Sequence, residues 1–126
     1  MSVTRSALHT LLPAACLAAS AAWAQAPATP PGFVASPDIY KVLAENDKHR
    51  VIEVIWKPGQ KDQLHSHPDA AVYYLADCRL RNHPLSGPPQ DGTRTAGRAS
   101  VQGPIAGHSI ENIGNADCKL IMFEPK

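Results

Sequence analysis

From residue 38 onward, apolar residues come in short runs broken by proline, glycine and polar clusters. No stretch keeps the i, i+3, i+4 spacing of an amphipathic helix. Ile39 to Leu43 reads as a first strand, closed by the polar Glu45-Asn46-Asp47-Lys48 turn. Val51 to Trp56 is apolar at nearly every position except Glu53, as in a strand covered on both faces, and Pro58-Gly59 ends it. Gln63 to His67 is a brief strand. Ala71 to Leu80 reads as one longer strand, β-branched and aromatic at first, after which Asp77, Arg79 and Arg81 alternate with Cys78 and Leu80. The residues from His83 to Thr93 hold three prolines and two glycines and read as a long turn. Strands near Arg98 to Gln102 and Ser109 to Ile113 follow, Gly114-Asn115 makes a tight turn, and Lys119 to Glu124 closes the chain. Many short strands at regular spacing predict an all-β sandwich or barrel.

The start of the chain follows a different pattern. A short basic end at Arg5 precedes an apolar stretch through Leu8, Leu11, Leu12, Cys16 and Leu17, and Ala22-Trp23-Ala24 has the small-x-small form of a signal peptidase site. The stretch is short for a membrane span and is interrupted by Pro13, so stable membrane insertion is not expected. Residues 1–24 are therefore predicted to be a signal peptide. The alternatives are a buried N-terminal helix and lipidation at Cys16, whose preceding Pro13 stands where a lipoprotein signal usually has leucine. The expected location is periplasmic or secreted. Residues 25–37 hold Pro27, Pro30, Pro31 and Pro37 and read as a proline-rich linker, a tether able to dock Phe33. Residues 38–126 form the single domain that a chain of 126 residues has room for.

Charge narrows the partners. A net charge of +1, with no run of Lys or Arg, gives no basic stripe for nucleic acid. Cleavage after Ala24 would remove Arg5 and leave the mature chain close to neutral. Two cysteines would remain, Cys78 and Cys118. In an oxidising compartment they are either a disulfide or two buried thiols.

The chemistry concentrates in His65-Ser66-His67 and His108. Side chains at i and i+2 of a strand share a face, so His65 and His67 project together, and a third imidazole from another strand can complete a cluster. Neutral imidazoles suit a divalent transition metal such as Zn, Fe, Mn, Ni or Cu, and three protein ligands leave positions for water or substrate. A metal-free reading has the same histidines lining a barrel and holding a small molecule by hydrogen bonds. His83, beside Pro84, and His49 read as turn residues.

Gly59, His65 and His67 match the first motif of the cupins, which continues to a glutamate three or four residues on. Gly97, His108 and Asn112 resemble the second. The phrases His65-Ser66-His67-Pro68-Asp69 and Gly107-His108-Ser109-Ile110-Glu111-Asn112-Ile113-Gly114 look like small exported bacterial cupins. The resemblance implies a jelly-roll barrel, the double-stranded β-helix, over residues 38–126, with the histidines inside and Asn112 tying down a loop. Two departures stand out. Ala71 and Val72 occupy the positions where the motif glutamate belongs, and Gly103 and Ile105 replace the second motif's proline and glycine. The implied function is an exported cupin that binds a divalent metal through His65, His67 and His108, activity unassigned. The alternatives are a metal-free ligand-binding or structural barrel, and a metal-dependent dioxygenase or isomerase acting on a small organic acid. Without the glutamate, a bound metal keeps one more unit of positive charge, which favours an anionic ligand. Tyr73, Tyr74 and Glu111 are candidate pocket residues. Cupin topology also makes neighbours of the strands bearing Cys78 and Cys118, which permits a disulfide, and the family's habit suggests a homodimer.

Overall fold

A computed structural model describes residues 28–126, and the predicted signal peptide lies outside the described residues. Nine strands form two antiparallel sheets. Five are β1 (Tyr40–Glu45), β2 (His49–Trp56), β9 (Cys118–Pro125), β4 (Ala70–Tyr74) and β7 (Ala99–Gln102), hydrogen-bonded in that order. The other four are β3 (His65–His67), β8 (Ile105–Asn112), β5 (Cys78–Pro84) and β6 (Gln90–Arg94), again in spatial order. Neighbours in sequence repeatedly fall into different sheets, which is the jelly-roll arrangement. Among the described residues no helix is long and apolar enough to cross a membrane.

Alternation builds the core. In β2, Ile52, Val54 and Trp56 are buried while the positions between them are half-buried. In β9, Cys118, Leu120, Met122 and Glu124 point inward. Those apolar side chains meet Val72, Tyr74, Cys78 and Leu80 between the sheets. Cys78 and Cys118 form a disulfide across the two sheets, with Cα atoms 5.0 Å apart. Closing a loop of sequence separation 40 contributes roughly 3–4 kcal/mol by restricting the unfolded chain.

Two expectations need correction. Ala71 to Leu80 is two strands, β4 and β5, which lie in different sheets. The chain turns the corner at Leu75-Ala76-Asp77, where Asp77 Oδ1 accepts the Ala96 N–H at 2.8 Å. Even-numbered residues face inward on both sides of this corner, so the hydrophobic alternation runs through it without a break. The second correction concerns the long turn from His83. β5 continues to Pro84, and Gln90–Arg94 forms a strand, β6, paired to it. β6 is an exposed edge of polar residues, so hydrophobic pattern gave no sign of it.

The tether docks Phe33 onto the domain, as the sequence suggested. Residues around Thr29–Ala35 strap the edge of β3. Ser66 N–H donates to Pro30 O at 2.9 Å and Ser66 Oγ donates to Thr29 O at 2.8 Å. A single helical turn, α1 (Gly32–Ala35), sets Phe33 against the core. The Arg50 guanidinium lies 4.0 Å from the Phe33 ring centre. A Cβ at Gly32 would stand 3.0 Å from Tyr40 and 3.2 Å from His65, so this strap seals one flank of the histidines.

Candidate metal centre

β3 alternates buried, half-buried, buried, which turns both His65 and His67 inward. His65 pairs in register with His108 on β8, and a bulge between His65 and His67 lets the strand curl toward its neighbour. The three rings come together with centroids 4.6 Å apart for His65–His108, 4.7 Å for His65–His67 and 5.3 Å for His67–His108. Each offers one nitrogen, all within 4.8 Å of one another. His65 Nε2 and His67 Nε2 are 2.9 Å apart.

The outer nitrogens fix what the inner ones present. His65 Nδ1 donates to Gln63 O at 2.7 Å, His67 Nδ1 to Glu124 Oε1 at 2.7 Å and His108 Nδ1 to Asn82 Oδ1 at 3.0 Å. A carbonyl or carboxylate oxygen only accepts, so each Nδ1 carries the proton and a neutral ring turns its Nε2 lone pair inward. Three lone pairs then share one buried space. Among the described residues their one nearby O–H is that of Tyr40, 3.0 Å from His65 Nε2 and 2.8 Å from Asp62 Oδ2, and a single proton cannot satisfy both. His108 Nε2 is buried with no hydrogen-bond partner among the described residues.

Adding protons is disfavoured. Burial holds the His65 imidazole below its ordinary value. Burial, reinforced by His65 and His67, pushes His108 down to about 3. Clustered, proton-poor imidazole lone pairs with oxygen-anchored outer nitrogens are the donor set that a transition-metal cation requires. The residues fit a metal.

Sequence reasoning missed the supporting shell. Asp62 is 3 % exposed and accepts from Tyr40 Oη, from Trp56 Nε1 at 2.9 Å and from the Ile110 N–H at 2.6 Å. Burial and the Asp62 carboxylate raise the Tyr40 hydroxyl well above its usual range, so it stays a proton donor. Glu124, Asn82 and Tyr40 each sit at an inward strand position amid apolar neighbours. That signal was available, because a lone polar residue on a buried face requires a partner.

Other candidates separate cleanly. Tyr74 is buried and lines a cavity of about 270 Å³ next to the histidines. Tyr73 and Glu111 do not line it, a correction that strand alternation explains. Tyr73 faces out of the sheet at 47 % exposure, and Glu111 lies on the outer face of β8, where it accepts from His83 Nε2 at 3.0 Å. His49 stacks on Phe123 outside the barrel. Asn112 is fully buried and donates through Nδ2 to Trp56 O at 3.0 Å and to Ala116 O at 2.8 Å. Its Oδ1 accepts the Gly114 N–H at 2.9 Å, closing the turn before β9. Val72, at one position open to the motif glutamate, contributes an apolar wall to the cavity.

No family sequence model and no curated protein sequence matches the chain. Solved structures do. A cupin domain from Bordetella pertussis is 21% identical, with a TM-score of 0.65 over 70% of this chain and 92% of its own. A Klebsiella pneumoniae protein with a double-stranded β-helix domain is 20% identical, with a TM-score of 0.56 over 69% of this chain and 75% of its own. An RmlC-like cupin from Methanocaldococcus jannaschii gives a TM-score of 0.56 at 9% identity, over 69% of this chain and 78% of its own. The two-sheet β architecture is thus shared with proteins of widely different sequence, and the chain has the cupin fold.

Proposed function

We propose that this chain is an exported cupin that binds one divalent transition metal through His65, His67 and His108 and offers it to a small organic anion in the adjoining cavity. The observation carrying the reading is the convergence of three buried imidazoles, with His108 Nε2 lacking a partner among the described residues. Export rests on the N-terminal sequence.

When bound, such an ion supplies Lewis-acid polarisation of a ligand oxygen. The protein's own part is orientation. Glu124 and Asn82 lock the rings of His67 and His108, and Asp62 and Gln63 O lie behind the His65 ring. Tyr40 Oη, its proton given to Asp62 Oδ2, stands 3.0 Å from His65 Nε2 and braces that side of the cluster. The apolar wall from Val72, Leu120 and Met122 excludes water from one side. With no protein carboxylate at the Val72 position, charge balance around the ion is left to the ligand.

Cobalt(II) titration tests the reading. A saturable visible absorption band in the wild type, absent in His108→Ala, is expected. No cobalt spectrum in either protein would overturn it and leave a metal-free ligand-binding barrel, which the apolar Val72 wall also suits.

A further inference from the structure

The cavity is also lined by β6, the exposed edge strand that the hydrophobic pattern did not reveal. Its lining residues are the half-buried Gly92 and the solvent-exposed Gln90 and Arg94, which share one face of the strand. Arg94 is held in place. Its Nε donates to the buried Tyr74 hydroxyl at 3.0 Å, and Nη1 donates to Thr93 O at 2.9 Å. Gly92 makes room for it, because a Cβ there would stand 2.9 Å from Arg94 Nη1.

Its charge is not matched by the protein. Arg94 forms no ion pair among the described residues, and Nη2 has no hydrogen-bond partner among them. The nearest acid on the same strand, Asp91, is engaged through both oxygens by Arg81 Nε at 2.7 Å and Arg81 Nη2 at 3.0 Å. Glu124 and Asp62 lie behind the histidine rings, hydrogen-bonded there. The cavity therefore has an uncompensated guanidinium at one end, imidazoles at the other and Val72, Leu120 and Met122 between.

We infer that Arg94 is a specificity-determining binding residue, and that the cavity takes a short organic anion with a carboxylate on Arg94, an apolar chain along β4 and β9, and an oxygen function at the histidine cluster. This deepens the proposed function and rests on it for the histidine end alone. A planar fork with a free N–H pair suits a carboxylate, and a volume of about 270 Å³ falls just below the ~300–1,000 Å³ of sites for drug-sized ligands.

Glutarate and pentanoate, equal in carbon number but carrying two carboxylates and one, are the probes. Both are titrated calorimetrically into the zinc-loaded and the metal-free full chain of wild type, Arg94→Gln, Arg94→Lys and Gly92→Ala. Zinc stoichiometry is measured on every variant. Zinc binding is expected to be equal in all four proteins. Glutarate should bind the wild type more tightly than pentanoate does, and Arg94→Gln should weaken glutarate about tenfold to a hundredfold. Arg94→Lys should recover part of that loss, and Gly92→Ala, which displaces the guanidinium without removing it, should fall between. Equal glutarate affinity in wild type and Arg94→Gln overturns the assignment, as does the absence of any preference for glutarate over pentanoate in the zinc-loaded wild type. Failure of zinc to bind overturns the metal reading alone, since the Arg94 dependence is read independently in the metal-free protein.

Discussion

The two sheets of this barrel have different duties. The five-stranded sheet turns Ile52, Val54, Trp56, Val72, Leu120 and Met122 inward, an almost continuous apolar face. The four-stranded sheet turns in His65, His67, His108 and Asn82, and its edge lines the cavity with Gly92 and Arg94. From the first sheet Tyr40, Tyr74 and Glu124 extend polar atoms into the second's territory, beside His65, to Arg94 and to His67. One sheet stabilises and the other recognises. Substitutions should therefore sort by sheet, and those that fail to do so would break the comparison.

The largest effects should come from the apolar sheet and from the bond joining it to its partner. Ile52→Ala removes a side chain that is 1 % exposed and should cost about 2–5 kcal/mol in urea denaturation. Metal stoichiometry should be unchanged at temperatures where the variant is folded. Replacing both Cys78 and Cys118 with serine should cost roughly 3–4 kcal/mol, measured the same way. A loss of metal from folded Ile52→Ala protein would show that the duties are not separable.

Glu124 comes next, as the residue that crosses between the two duties. Glu124→Gln keeps an acceptor for His67 Nδ1 but removes the charge, and should weaken metal affinity about 10–100-fold in competition with a chelator. An unchanged affinity would reduce Glu124 to a structural partner.

Acid should act on the recognising sheet. In the metal-free protein the folded His108 is pushed down to about 3, while in the unfolded chain its ordinary value is 6.5. Between these values the unfolded state binds the proton and the folded state does not. The stability that depends on neutral His108 is therefore complete above about pH 6.5 and falls as pH drops from there toward 3, by about 1.4 kcal/mol per pH unit for this group. His65, lowered by burial, acts in the same direction. Urea midpoints at pH 7.5 and 5.5 check this, and a flat profile would contradict the buried, neutral cluster.

The smallest effect should be at Tyr73. It stands beside Tyr74 in sequence but on the outer face, so Tyr73→Ala should change stability by no more than about 0.5 kcal/mol and leave ligand binding unaffected.

How much of this was legible in the sequence divides along the same line. Short apolar runs between turn residues revealed β1, β2 and β9, although β2 is buried on one face and half-buried on the other rather than covered on both, and motif spacing joined His65, His67 and His108. The corner at Leu75–Asp77 stayed hidden because β4 and β5 bury the same parity of residues. β6 stayed hidden because its work is polar, and neither its pairing with β5 nor its place beside the cavity leaves a hydrophobic trace. Asp62 could not be told from its exposed neighbour Lys61 by composition. Only the fold shows that it is buried, accepting Tyr40, Trp56 and the Ile110 backbone. Tyr40, Asn82 and Glu124 were within reach, each a polar residue at an inward position.

The most direct test is the metal content of the chain from residue 25 to 126, purified without chelator or nickel resin and measured by elemental mass spectrometry. The account predicts close to one transition-metal ion per chain, lost in His65→Ala/His67→Ala and retained in His83→Ala, whose ring lies outside the barrel. No metal in the wild type even after reconstitution, or equal loss in His83→Ala, would contradict it.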